Sequence, residues 1–149
     1  MMLTDFYGNH LTTSTGLARD SYDIGLRAFL SANYGAEEAF SQAIEADPNF
    51  TLAYLGLARA LMSSGQIAEA KAALGKAKNL LGGLTDREKS HFSCCELILS
   101  GEAKKARMEV QNHVSEWPRD AMIAQMSTSV FGLIGFSGQK GREADLLEY

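Results

Sequence analysis

Residues 51–82 read TLAYLGLARALMSSGQIAEAKAALGKAKNLLG, and the spacing of their apolar residues decides the fold. Tyr54, Leu57, Ala58 and Leu61 fall at i, i+3, i+4 and i+7, which is one face of an α-helix. Gly65 interrupts that face, and a second apolar set follows at Ala70, Leu74 and Ala77. The pattern predicts a helix from Phe50 to Ser64, a break at Gly65 and a return helix from Ile67 to Leu80. Two short helices joined this way form a hairpin, which alone leaves its apolar face wet.

The hairpin recurs. Ala36, Phe40 and Ala43 precede Ala70, Leu74 and Ala77 by 34 residues, and Pro48 stands where Gly82 stands in the later copy. A shift of 36 then carries Gly65, Ala70, Leu74 and Ala77 onto Gly101, Ala106, Val110 and His113, with Pro118 closing the unit as Pro48 closes the first. The leading helix of this third unit has a clear start: Thr85 and Glu88 form a capping box after the loop Gly82-Gly83-Leu84. The first unit's leading helix is expected over roughly Ser14 to Ala32, with Tyr22, Ile24, Gly25 and Ala28 approximating the pattern. A fourth begins near Asp120 and carries Met122, Ile123, Met126, Val130, Phe131 and Ile134. The expected organisation is one helical-repeat domain over 1–149, with an N-terminal extension at 1–13. Its hairpins fall at about 14–48, 50–81, 85–117 and 120–149, the last incomplete.

These residues resemble the tetratricopeptide repeat, a helix-turn-helix unit of about 34 residues. The resemblance implies an all-α class, with stacked hairpins forming a tetratricopeptide-repeat-like right-handed α-α superhelix. Small residues at Ala58, Ala70 and Ala77 allow close helix approach, and Tyr54, Leu57, Leu61 and Leu74 fill the space between neighbouring pairs. Three longer stretches, YGNHLTTS, GAEEAFSQAIEADPNF and WPRDAM followed by FGLIGFSGQKGRE, resemble the N-terminal part of the tetratricopeptide repeat protein 38-like family. Members of that family are longer, so the resemblance implies a piece of a larger protein, and LLEY at the end reads as the middle of a helix. It supplies no catalytic residues.

Composition narrows the function. A chain of 149 residues suits one domain that buries roughly 70% of its unfolded surface. Its formal charge is −4, with the negative balance in the first third, where seven acids stand against two bases, and no basic stripe is present. That balance speaks against nucleic acid as a partner. The opening MMLTDFYGNHLTTS has no leader-like pattern, and no run of eighteen apolar residues predicts a membrane span. Cys94 and Cys95 are adjacent and cannot staple distant segments, which predicts a reducing, cytoplasmic setting and two small buried thiols. The acids Asp20, Asp23, Glu37, Glu38, Glu45 and Asp47 lack the alternation and central glycine of a calcium loop, so a solvated face is expected.

In repeats of this kind the leading helices line the concave face. With Thr51 as the first position of its repeat, Leu52, Leu55, Arg59 and Met62 are expected to face the groove, and the shift of 36 adds Glu88, His91, Cys95 and Ile98. Neither a Lys nor an Asn stands at these eight positions to clamp a peptide carboxylate, so an apolar or helical protein segment is the expected occupant. The missing C-terminal part of the protein is one candidate, and it makes self-association through the truncated end an expectation. His91, Cys95 and His113 offer three zinc-type donors, but no fourth is spaced to complete a site. No cofactor or metal is expected. Ser137 in GFSGQ lacks the final glycine of a nucleophile elbow, and the glycines at 132, 135, 138 and 141 are not arranged as a phosphate loop. Asp120 is expected as a helix N-cap and His113 as an inner helix residue, each with a local task. The function expected is therefore a scaffold for protein contacts without chemistry of its own. The alternative is the N-terminal lobe of a larger enzyme or cofactor-binding protein whose site lies beyond residue 149.

Overall fold

A computed structural model describes residues 3–128. It opens with β1 (Leu3–Thr4) and β2 (His10–Leu11), an antiparallel pair in which Leu3 faces Leu11. Seven helices follow: α1 (Gly16–Leu30), α2 (Ala36–Ala46), α3 (Thr51–Ser63), α4 (Ile67–Lys78), α5 (Asp86–Leu99), α6 (Ala103–Glu116) and α7 (Ala121–Thr128). α1 packs on α2, α3 on α4 and α5 on α6, while α2 meets α3 and α4 meets α5, so hairpin stacks on hairpin. The chain is all-α with a tetratricopeptide-repeat-like arrangement of stacked helical pairs, apart from the short strand pair.

Local signals place the helix ends. Thr15 caps α1 by accepting from the Ala18 amide. At α5 the capping box is complete: the Thr85 hydroxyl accepts from the Glu88 amide, and the Glu88 carboxylate accepts from the Thr85 amide. Gly65 (φ 81°) and Gly101 (φ 75°) make the left-handed turns inside the second and third hairpins, conformations that cost a side chain dearly. Val130, Phe131, Ile134, Ser137, the four late glycines and the second half of the fourth hairpin lie outside the described residues.

Close approach is purchased elsewhere by two other glycines. A Cβ on Gly56 would lie 2.5 Å from the Phe40 ring, and one on Gly25 would lie 2.8 Å from the same ring. Phe40 is fully buried, so α1 and α3 clasp its two sides through positions without side chains. Tyr22 packs against both Phe40 and Phe50, at ring separations of 5.6 and 5.2 Å, and joins the first hairpin to the second. Leu52, Leu55, Cys95, Val110, Met122 and Ile123 continue the same core toward α7.

Among the described residues, the leading helices contact one another across the interior. α3 touches α1 and α5, and α7 returns to contact α1 as well as α6. The N-terminal strand pair covers another side of this interior, where Leu11 is fully buried. No sequence expectation covered these strands. Their turn is held by Asp5, whose Oδ1 accepts from the amides of Tyr7 and Asn9, and by Gly8 at φ 83°. None of the described helices is long and apolar enough to cross a membrane.

Candidate functional site

The interior where α5, α6 and α7 meet holds a cluster of titratable side chains centred on Asp120. Asp120 precedes the first residue of α7, in the turn that follows Pro118. Its Oδ2 receives Arg87 Nη1 at 2.8 Å, His91 Nδ1 at 2.9 Å and His113 Nε2 at 2.8 Å. Arg87 and His91 lie one helical turn apart on α5, and His113 lies in the last turn of α6. All four side chains are buried. An ionised carboxylate can only accept, so donation from both imidazoles and the guanidinium satisfies the chemistry of the oxygen they share.

Electrostatics agree with that reading. Burial by itself would raise the Asp120 carboxyl, but His91, His113 and Arg87 together hold it well below the usual carboxylate value. Burial pushes the His91 imidazole below its ordinary value, with Asp120 opposing the shift. The second nitrogens of the guanidinium and of His113 are also engaged. Arg87 Nη2 donates to the His10 carbonyl at 2.8 Å, and the Ser90 hydroxyl lies 2.8 Å from His113 Nδ1. One carboxylate thus ties α5, α6 and the start of α7 together, and through Arg87 it reaches β2.

Two further polar ties close the same interior. Glu88 is completely buried, and besides Thr85 it accepts from the Thr12 amide at 2.9 Å and from the Thr12 hydroxyl. Arg59 on α3 reaches across to α7, donating from Nη1 to the Met122 carbonyl at 2.9 Å and from Nη2 to Gln125 Oε1 at 2.8 Å. Its guanidinium lies 5.1 Å from the centre of the Phe29 ring on α1. Arg59 Nε has no hydrogen-bond partner, the one such buried side-chain nitrogen or oxygen among the described residues.

The eight expected groove residues are therefore placed unevenly. Leu52, Leu55, Arg59, Glu88, His91 and Cys95 are buried: Leu52, Leu55 and Cys95 within the core, Arg59 against α7, Glu88 against Thr12 and His91 against Asp120. Met62 and Ile98, near the C-terminal ends of α3 and α5, stay partly accessible. The physical reason is that burying Leu52 and Leu55 with Met122 and Ile123 is favourable, and Arg59, Glu88 and His91 each find a partner within the chain that offsets the cost of losing water.

The zinc-type trio also regroups. His91, His113 and Asp120 place their donor atoms within 4.8 Å of one another, and Cys95 is not among them. Cys95 lies in the core, its thiol pushed up to about 12 by burial, and burial raises Cys94 as well. A divalent ion at the trio would have to share Asp120 Oδ2 with the Arg87 guanidinium, and both histidines already donate to that oxygen. The set fits a hydrogen-bonded hub and not a metal centre. Asp120 and His113, expected to serve separate local tasks, are bonded partners seven residues apart across the Pro118 turn. The signal available in the sequence was the accumulation of Arg87, Glu88, His91 and His113 at inward repeat positions, since buried charges need one another.

Among known proteins, the tetratricopeptide repeat family model matches residues 35–81, which contain α2, α3 and α4. No curated protein and no solved structure matches the chain. The matched stretch holds Phe40, Gly56 and the Gly65 turn, while Gly25, the other side of the clasp, lies before it.

Proposed function

We propose that the chain is a helical-repeat scaffold that works through protein contacts and carries out no catalysis of its own. Tetratricopeptide repeats generally mediate protein–protein interaction, and this supports the coarse assignment. The observation that carries the finer one is how the interior polar groups are used. The Asp120 hub, Glu88 and Arg59 bond to one another or to the backbone of β2, Thr12 and α7, so they fix the shape of the chain. An active site would keep such groups at the wall of a cavity, poised for a substrate.

On this reading the groove is largely filled in cis, and a partner segment engages its remaining margin at Met62 and Ile98. An apolar or amphipathic segment suits that margin. The motifs YGNHLTTS, GAEEAFSQAIEADPNF and WPRDAM support a further assignment, to the N-terminal part of a tetratricopeptide repeat protein 38-like protein. The adjacent buried thiols support a reducing, cytoplasmic setting.

The test is affinity capture with the wild-type chain and with the double variant Met62→Glu/Ile98→Glu, read together with native mass spectrometry of the purified protein. The expected result is a stoichiometric protein partner that the double variant loses while its circular dichroism stays unchanged. A bound small molecule or metal at full stoichiometry, with protein capture indifferent to the variant, would overturn the scaffold reading.

A further inference from the structure

Among the described residues, the outer face of α1 has apolar side chains that stay exposed. Leu17 is 69% exposed and Ile24 is 60% exposed, and Phe6 and Tyr34 stand beside the same face at 60% and 104%. Leu17, Asp20, Ile24 and Arg27 follow one another at spacings of three, four and three, which keeps them on one narrow stripe of the helix. Such a seam of alternating three and four is what a second helix packs against.

Two properties of the stripe indicate what covers it. The first is charge. Reversing the helix about a point beside Ile24 exchanges Asp20 with Arg27, so an antiparallel copy of α1 sets Asp20, whose Oδ1 is held by Arg19 at 2.7 Å, opposite Arg27 with Oδ2 available. The face is locally balanced by Arg19, Asp20, Asp23 and Arg27, although the chain as a whole is at −4. The second is shape. A hollow of about 720 Å³ opens on this face, lined by Phe6, Ile24, Arg27, Leu30 and Tyr34. The same reversal brings Leu17 of one copy against Leu30 and Ser31 of the other, which is the mouth of that hollow. Arg27 already lies over the Phe6 ring, at 4.7 Å.

We propose that α1 is the interface of a two-fold symmetric dimer of this chain, in which Ile24 sits near the axis, Leu17 fills the hollow of the partner copy, and Asp20 pairs with the partner copy's Arg27. Each residue of the interface meets its counterpart twice, the arrangement that an isologous contact requires. A helix of 15 residues spans roughly 22 Å, so the contact is at the small end of specific interfaces and the dimer is a reversible one. This surface lies on the opposite side of α1 from the filled interior and is independent of what binds at Met62 and Ile98.

Sedimentation velocity of the whole chain over a hundredfold concentration range tests it. The expected result is a boundary that moves from the monomer to the dimer value with rising concentration, and stays at the monomer value for Ile24→Glu and Leu17→Glu. Both residues are exposed, so melting temperatures should match wild type and show that folding is intact. Asp20→Arg and Arg27→Asp should each weaken the dimer at least tenfold, and the variant carrying both should recover it. A wild-type monomer at every concentration, a dimer that survives Ile24→Glu, or a double charge reversal no better than the singles would each overturn the proposal.

Discussion

Replacing Asp120 by alanine removes the acceptor shared by Arg87, His91 and His113, and the structure sets the size of the effect. The largest component is the Arg87 guanidinium, left buried without its counter-charge; removing one member of a buried ion pair costs about 3–5 kcal/mol. Two buried imidazole N–H groups lose their partner as well, at about 1–3 kcal/mol each when nothing replaces it. These losses overlap, because the side chains around a vacated site relax together. A net loss of about 4 kcal/mol is expected, against a total of about 5–15 kcal/mol for an ordinary domain. In a chain of this size that corresponds to a fall in melting temperature of roughly 10 °C. Urea denaturation followed by circular dichroism measures it. The variant Arg87→Met separates the causes, because combining it with Asp120→Ala removes the orphaned charge. The pair should cost at least about 1 kcal/mol less than the sum of the single changes. A loss below about 1 kcal/mol for Asp120→Ala, or strict additivity with Arg87→Met, would refute the claim that a buried ion pair holds these helices together.

The pH dependence of stability follows from the same cluster. Because the His91 value is lowered from 6.5, the unfolded chain takes up a proton that the folded one refuses; stability is full above pH 6.5 and declines below it, by at most about 1.4 kcal/mol per pH unit per proton. Asp120, held well below 3.8, contributes stability that is present above that pH and lost on further acidification. Urea midpoints from pH 8 to pH 4 should show the first decline, His91→Asn should flatten it, and a wild-type profile level through this range would contradict the burial of a neutral imidazole. Glycine-to-alanine changes should have opposite signs at two positions: Gly56→Ala collides with Phe40 and should cost about 1–3 kcal/mol, whereas Gly75→Ala, with open space and an ordinary helical backbone, should stabilise by about 0.5–1 kcal/mol. Thermal melts of both decide it, and equal effects would contradict the clasp. Cys94 and Cys95, free but buried with raised thiol values, should react with an aromatic disulfide reagent only as fast as the protein opens, and immediate labelling of native protein would place them elsewhere.

The helical hairpins were legible because their signals are local and redundant. The stretch from Tyr54 to Ala77 carries a helical period, a breaking glycine and a second helical period, and the structure turns at Gly65 as that order requires. Thr85 and Glu88 announced the start of α5 for the same reason, since a capping box is a contact between residues three apart. The strand pair gave no such signal: with two residues on each side it is too short for an alternating pattern, and its turn chemistry at Asp5, Gly8 and Asn9 was the only cue. The closing of the interior was illegible for a different reason. Periodicity places Arg59, Glu88 and His91 on a helix face but says nothing of what lies across from it, and their partners Met122, Thr12 and Asp120 are 63, 76 and 29 residues away. Asp120 was harder still. A residue before a helix is ordinarily an N-cap, and only the three buried donors around it show that it does more.

The central claim is that the Asp120 hub holds the strand pair and α7 over the interior of the repeat, and native-state hydrogen exchange of wild type against Asp120→Ala tests it most directly. The expected result is that amides of β1, β2 and α7 lose protection together, because Arg87 links Asp120 to the His10 carbonyl, while α3 and α4 remain protected. Loss confined to α7 with the strand pair unchanged, or a uniform loss across all helices, would contradict it.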